Sequence, residues 1–303
     1  MASFPLSVIR STFRVADHLA PVLAGRAAFE LFCRTPNPAK LTEKERAAVA
    51  QAAPFMAEAR HHRLPIRSGH VVAHDFRPPA GTPFRRTVLV LHGWRSRTEH
   101  MAALVDALRR AGSRVVALDL PGHGVSSGRR LTMANAVEAV SAAGDWFGPF
   151  AAVVGHSFGG AVAVNAVTGS IPRFAPIAAD RLVLISAPNS MPAFFADFGR
   201  MLSLGPRAQT ALFDHVERVA GRPLERFVGA NQLAEVEVPT LVIHAPDDKE
   251  VSAEDAKAYA AAGRHVQLVW APGLGHRRIV AGPGVLAELS GFVAGATDLS
   301  AVH

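Results

Sequence analysis

The stretch that most restricts this chain runs Phe150-Ala151-Ala152-Val153-Val154-Gly155-His156-Ser157-Phe158-Gly159-Gly160-Ala161-Val162-Ala163. An apolar run of strand character stops at Gly155, and a run of Ala and Val able to form a helix starts after Gly160. Between them, Gly-His-Ser-Phe-Gly matches the G-x-S-x-G pattern that sets a serine on a sharp strand-to-helix turn. Such a turn strains the serine backbone, so Gly155 and Gly159, two places to either side, must lack bulky side chains. The turn lifts the Ser157 hydroxyl above the sheet, and the helix behind it aims its first N–H groups at developing negative charge. The five residues alone are a weak signal in a glycine-rich chain. The strand before them and the small-residue helix after them make Ser157 a candidate nucleophile.

Strand and helix patterns alternate on both sides of this elbow. Val71–Phe76 reads as an early strand, and Thr87–Leu91 is a continuous apolar run, as expected of a strand covered on both faces. Ser96-Arg97-Thr98-Glu99 has the form of a capping box for a helix that buries Met101, Leu104, Val105 and Leu108 and stops at Gly112. A strand over Arg114–Leu118, a helix near 133–146 and strands over Arg181–Ile185, Thr240–His244 and His265–Trp270 complete the series. This is the pattern of an α/β fold, a mostly parallel sheet flanked by helices, with its ligand site beyond the carboxyl ends of the strands. Residues 189–235 are too long for one crossover and carry helical spacing, with Phe194, Phe198, Met201 and Leu202 read as one face. They are expected to form a small helical cap. Its aromatic stripe suits the cap's own packing first, and Phe194, Phe198 and Met201 are also candidates for substrate contact.

Residues 1–65 read as a helical extension ahead of a main domain over 66–303. Ile9, Phe13, Leu19, Leu23 and Ala27 repeat at mostly three- to four-residue spacing, giving an amphipathic helix over 6–32. The mixed signs on its polar side favour packing on the main domain or on another subunit, hence a homo-oligomer through these helices, over attachment to a membrane. Pro36 and Pro38 end the pattern; a second helix opens at Leu41 and runs to about Ala59, closed by His61, His62 and Arg63. Charges at Arg10, Arg14, Asp17, His18 and Arg26 rule out a signal-peptide core or a spanning helix here. The net charge is +7, but basic residues are scattered, with no run longer than Arg-Arg, so no nucleic-acid stripe is visible. The single cysteine, Cys33, allows no internal disulfide and suits a reducing, cytoplasmic compartment.

Three further stretches fall at strand ends on the Ser157 side. His92-Gly93-Trp94 offers the backbone N–H of Trp94, which with that of Phe158 would form the two donors an oxyanion needs. The loop Ala245-Pro246-Asp247-Asp248-Lys249-Glu250 supplies the acid; Asp248 is preferred, and the local sequence leaves Asp247 open. A base later in the chain than the acid must be His265, His276 or His303. His265 starts a strand and so lies at its far end, roughly 20 Å off at about 3.3 Å per residue. His303 is the last residue and is expected to fray. His276, in the glycine-framed loop Gly273-Leu274-Gly275-His276, is the candidate.

Over about residues 70–293 the chain resembles the α/β-hydrolase superfamily, through His-Gly-x at 92–94, Gly-His-Ser-Phe-Gly-Gly at 155–160 and Asp119-Leu120-Pro121-Gly122-His123-Gly124-Val125-Ser126. The resemblance implies Ser157 as nucleophile, His276 as base and Asp248, four residues past its strand, as the acid. Ala245 and Ser252 stand where the family usually has glycine and often proline, and His123 is expected to serve its turn. The implied activity is hydrolysis of a small-molecule carboxylic ester through an acyl-enzyme, with no metal and no other cofactor. Thioester hydrolysis or acyl transfer would use the same parts, and a non-catalytic ligand-binding homologue is the reading from a different class.

Overall fold

A computed structural model describes residues 6–37, 40–84 and 86–295, so Pro38 and His303 lie outside the described residues. The helices are α1 (Leu6–Leu19), α2 (Pro21–Cys33), α3 (Glu43–Met56), α4 (Ala102–Arg110), α5 (Met133–Phe147), α6 (Phe158–Val167), α7 (Met191–Leu202), α8 (Pro206–Ala220), α9 (Gly229–Ala234), α10 (Ala253–Ala260), α11 (Gly275–Arg278) and α12 (Pro283–Ala294). The strands are β1 (Arg60–Ile66), β2 (Gly69–Phe76), β3 (Thr87–Leu91), β4 (Arg114–Asp119), β5 (Ala152–His156), β6 (Leu182–Ile185), β7 (Thr240–His244) and β8 (Val266–Trp270). The chain divides into two compact units, Met1–Arg34 with Ser190–Val228, and Thr35–Asn189 with Gly229–His303.

The larger unit is built on one eight-stranded sheet of order β1-β2-β4-β3-β5-β6-β7-β8. β2 runs antiparallel to β1 and β4, and the pairings from β4 to β8 are parallel. β3, β5, β6 and β7 are buried at every residue, which is why they are apolar on both faces without alternation. One face of the sheet packs Leu104, Val105 and Leu108 of α4 and Leu289 and Phe292 of α12 against Val88, Val90 and Ile243. Parallel pairing brings the ends of β3, β5, β7 and β8 to one edge, where the loops after them gather.

Two local expectations fail for tertiary reasons. Residues 60–66 are a strand and not the end of a helix: β1 pairs along its length with β2, His61 opposite His74 and Leu64 opposite Val71, so the helical part of residues 1–65 ends at Met56. His61 and His62 therefore point to opposite faces, His61 Nδ1 to 2.9 Å from His74 Nδ1 and His62 toward Asp75. The capping box at Ser96 does not form. The chain enters through a 3₁₀ turn, Thr98–Met101, because the buried Asp119 carboxylate takes both the Thr98 N–H and its hydroxyl.

The smaller unit holds α1, α2, α7, α8 and a 3₁₀ turn at Leu224–Phe227. Pro21, which lacks an N–H and suits a first helical position, divides the expected helix over 6–32 into α1 and α2. α2 and α8 meet at Gly25, where a Cβ would stand 2.6 Å from the Leu212 nitrogen. The buried carboxylate of Asp17 accepts from the Ala208 N–H at 2.7 Å, capping α8 where its own N-cap, Gly205, has no side chain to do so. On α7 the buried stripe is Met191, Phe195, Gly199 and Leu202. Phe194, Phe198 and Met201 lie on the neighbouring face, apart from Leu202; Phe194 and Phe198 each pack edge-on against Phe32, and Met201 is exposed.

Candidate active site

The elbow carries the conformation its sequence demands. Ser157 has φ 54° and ψ −127°, between the last residue of β5 and the first of α6, and its N–H donates to the Ile185 carbonyl at 2.8 Å. Gly159 is small because a Cβ there would stand 2.5 Å from the His92 carbonyl oxygen. The backbone after β3 passes close by, since a Cβ on Gly93 would be 2.9 Å from that of Ser157. Trp94 and Phe158 thus flank the serine, their rings edge to face at 5.5 Å.

The candidate base and the candidate acid arrive from two other loops. His276 Nε2 lies 3.0 Å from Ser157 Oγ, and its Nδ1 lies 2.8 Å from Asp248 Oδ2. With Nδ1–H donated to Asp248, Nε2 is left as the acceptor facing the serine hydroxyl. The other oxygen of Asp248 accepts the N–H groups of Glu250 and Val251 at 2.8 and 3.0 Å. Burial pushes the Asp248 carboxyl up, but hydrogen bonds from His276, Val251 and Glu250 outweigh it and hold the group below the ordinary carboxylate range. Asp247, the other candidate, points away and accepts from the Gly273 N–H at 2.8 Å, tying the acid loop to the base loop.

Two buried histidines that sequence reasoning passed over brace these loops. His156, next to the serine, donates its Nε2–H to the His276 carbonyl at 2.9 Å. Burial pushes its imidazole down to about 4, so it is neutral, and its Nδ1 is buried with no hydrogen-bond partner among the described residues. His244, at the end of β7, faces the Val251 carbonyl with Nε2 at 3.3 Å, the same residue whose N–H binds Asp248. An imidazole closing a buried and otherwise mostly apolar strand was the available signal in both cases. Glu250 was also missed: its carboxylate pairs with Arg277 at 2.9 Å and reaches within 3.9 Å of His276 Nε2.

The Asp119 turn supports the loop after β3. The Asp119 carboxylate, buried yet held below its ordinary range by His74, binds His74, Thr98 and Val125. His92 Nε2 accepts from the Leu120 N–H at 3.0 Å, and His123 Nε2 accepts from the Arg95 N–H at 3.1 Å, just past Trp94. Burial pushes both imidazoles down to about 4, which keeps them neutral and able to accept. His265 precedes β8, at the edge opposite His276. Among the described residues no group of His, Cys, Asp and Glu side chains is arranged to hold a metal ion, and no helix is long and apolar enough to cross a membrane.

A family model described as alpha/beta hydrolase family matches residues 88–289. No curated protein matches the chain. Among solved structures, Est1E from Butyrivibrio proteoclasticus with bound ferulic acid superposes with a TM-score of 0.61 at 19% identity, covering 78% of this chain and 97% of Est1E. The carboxylesterase CesB from Bacillus subtilis gives 0.59 at 18%, over 82% and 97% of the two chains. The thioesterase domain from the curacin biosynthetic pathway gives 0.54 at 16%, over 78% and 98%.

Proposed function

The chain belongs to the alpha/beta hydrolase family, and from that premise we propose that it is a serine hydrolase that cleaves a small-molecule carboxylic ester through an acyl-enzyme. The observation that carries the reading is the unbroken row Ser157 Oγ to His276 Nε2 to Asp248, with spacings of 3.0 and 2.8 Å. Ser157 attacks the ester carbonyl while His276 Nε2 takes its proton. The carbonyl oxygen becomes an anion, met by the backbone N–H groups of Phe158 and Trp94. As the tetrahedral centre collapses, the proton on His276 passes to the departing alcohol, leaving the acyl group on Ser157. Water then repeats the sequence with His276 as base, releasing the carboxylic acid. Asp248 keeps Nδ1 protonated throughout and is never itself the base. The lone cysteine fits a cytoplasmic location.

The test is a p-nitrophenyl ester panel with the purified full chain, including matched thioesters. One nitrophenolate per enzyme should appear in a burst before steady turnover, and Ser157→Ala should lower kcat by at least ~10³-fold. Retention of most activity in Ser157→Ala would remove the serine from the mechanism. Absence of turnover on every ester and thioester would leave a ligand-binding homologue.

A further inference from the structure

The helix pair α1–α2 presents a face that its own unit does not bury. Leu19 is 80% exposed and Leu23 64%, with Val15 and Val22 at 58% and 55%. Isolated exposed apolar residues are ordinary. These four are not isolated: Leu19, Val22 and Leu23 wrap the elbow at Ala20-Pro21, and Val15 lies one turn behind Leu19 on the same side of α1. At about 100° per residue, Arg10, Arg14 and His18 form a second exposed strip on α1, beside the first.

The sign of that strip depends on the fold. The sequence counts Asp17 among the polar residues of α1, which gives the helix a mixed character. The structure removes it: Asp17 is 5% exposed and its carboxylate is committed to the N-terminus of α8. What α1 shows to solvent is basic, and Arg26 extends this past the elbow, with Glu30 as the exposed acid of the pair.

We propose that this elbow docks on an anionic lipid surface, with Leu19, Val22 and Leu23 entering the headgroup boundary and Arg10, Arg14 and Arg26 meeting lipid phosphates. The arrangement is that of an interfacial helix, apolar on one strip and cationic beside it, which seats about 5–10 Å deep without spanning. A second copy is the poorer occupant, because α1–α2 shows three exposed arginines, Arg10, Arg14 and Arg26, against the one exposed acid Glu30, so a self-pairing offers them few opposite charges. The inference is independent of the triad and would stand if the chain proved inactive on esters.

The full chain, mixed with phosphatidylcholine vesicles with and without phosphatidylglycerol, should float with the anionic vesicles alone and be released by raised salt. Leu19→Ser with Leu23→Ser should weaken binding roughly 100-fold, about tenfold for each large side chain. Arg14→Gln with Arg26→Gln, which leaves every apolar contact in place and so guards against a folding defect, should weaken it roughly 25-fold, about fivefold per arginine. Three results overturn the proposal: no flotation of the wild type, equal flotation on pure phosphatidylcholine, or a dimer in sedimentation equilibrium that the double serine variant dissolves.

Discussion

Asp248→Asn is the substitution for which the structure dictates the outcome most narrowly. One carboxylate oxygen accepts two backbone N–H groups, from Glu250 and Val251, and the other faces His276 Nδ1 at 2.8 Å. An asparagine can keep the first arrangement only by placing its carbonyl oxygen there. The reverse orientation would set an NH₂ group against two N–H donors and lose two buried hydrogen bonds, at about 1–3 kcal/mol each. The amide is therefore locked with its NH₂ toward His276, which must answer with an unprotonated Nδ1. The proton moves to Nε2, the atom that has to accept from Ser157. Reversing the tautomer of a triad histidine costs on the order of 10⁴ in kcat, about 5.5 kcal/mol at 1.4 kcal/mol per factor of ten. The measurement is kcat on a p-nitrophenyl ester for Asp248→Asn and Asp247→Asn side by side, with thermal melts to show that both fold. Among the described residues Asp247 holds only the Gly273 N–H, so its variant should stay within about tenfold of wild type, since one hydrogen bond contributes roughly 0.5–1.5 kcal/mol. Asp248→Asn with more than a tenth of the wild-type kcat, or equal losses in the two variants, would refute the assignment of the acid.

Two further outcomes follow from the same geometry. His156→Phe removes the donor to the His276 carbonyl and should lower kcat by about 3–10-fold with KM unchanged, the value of one buried hydrogen bond; loss in KM alone would deny His156 a role in positioning. Asp75 is buried and drawn below its ordinary pKa by its paired bonds to Arg114 despite the upward push of burial. Its contribution to stability is therefore complete above the unfolded value of about 3.9 and is lost as pH falls below it. The urea midpoints of wild type and Asp75→Asn should accordingly converge between pH 6 and pH 3, and a gap that widens on acidification would contradict that direction.

The sheet was legible wherever burial is two-sided, because a strand covered on both faces is mostly apolar, with polar residues confined to its ends in β3, β5 and β7. β1 was not: Arg60-His61-His62-Arg63-Leu64-Pro65-Ile66 has just Leu64 buried, and its strand identity comes from pairing with β2 across a hairpin. The false capping box has a similar origin. Ser96 and Glu99 have the right local spacing, but a carboxylate 21 residues later holds Thr98. Ser157 was proposed from its glycine-framed motif and His276 from chain order and its place after a strand, whereas the local residues left Asp247 open beside the preferred Asp248, and the two differ in where each side chain turns. Asp17 is the sharpest case: its identity is in the sequence, but its removal from the solvent-facing charge of α1 depends on a helix 191 residues away.

The order of the strands explains why so many bonds converge on the base loop. Ser157 follows β5, the acid follows β7 and His276 follows β8, which is three places from β5 in the sheet. At about 4.8 Å per strand that is roughly 14 Å of separation, which the loop after β8 must recross above the sheet. Gly273 and Gly275, with φ of 80° and 59°, turn the chain back. The returning segment is then fixed at several points, among them Asp247 on the Gly273 N–H, Asp248 on the His276 ring and His156 on the His276 carbonyl. The first two anchors hang from the acid loop, itself two strands from the serine, so they move together if that loop shifts. Of these three, the His156 bond alone starts from the strand that leads into Ser157. It therefore ties the His276 backbone directly to the element bearing Ser157, and it does so from a neutral imidazole whose burial removes any competing charge.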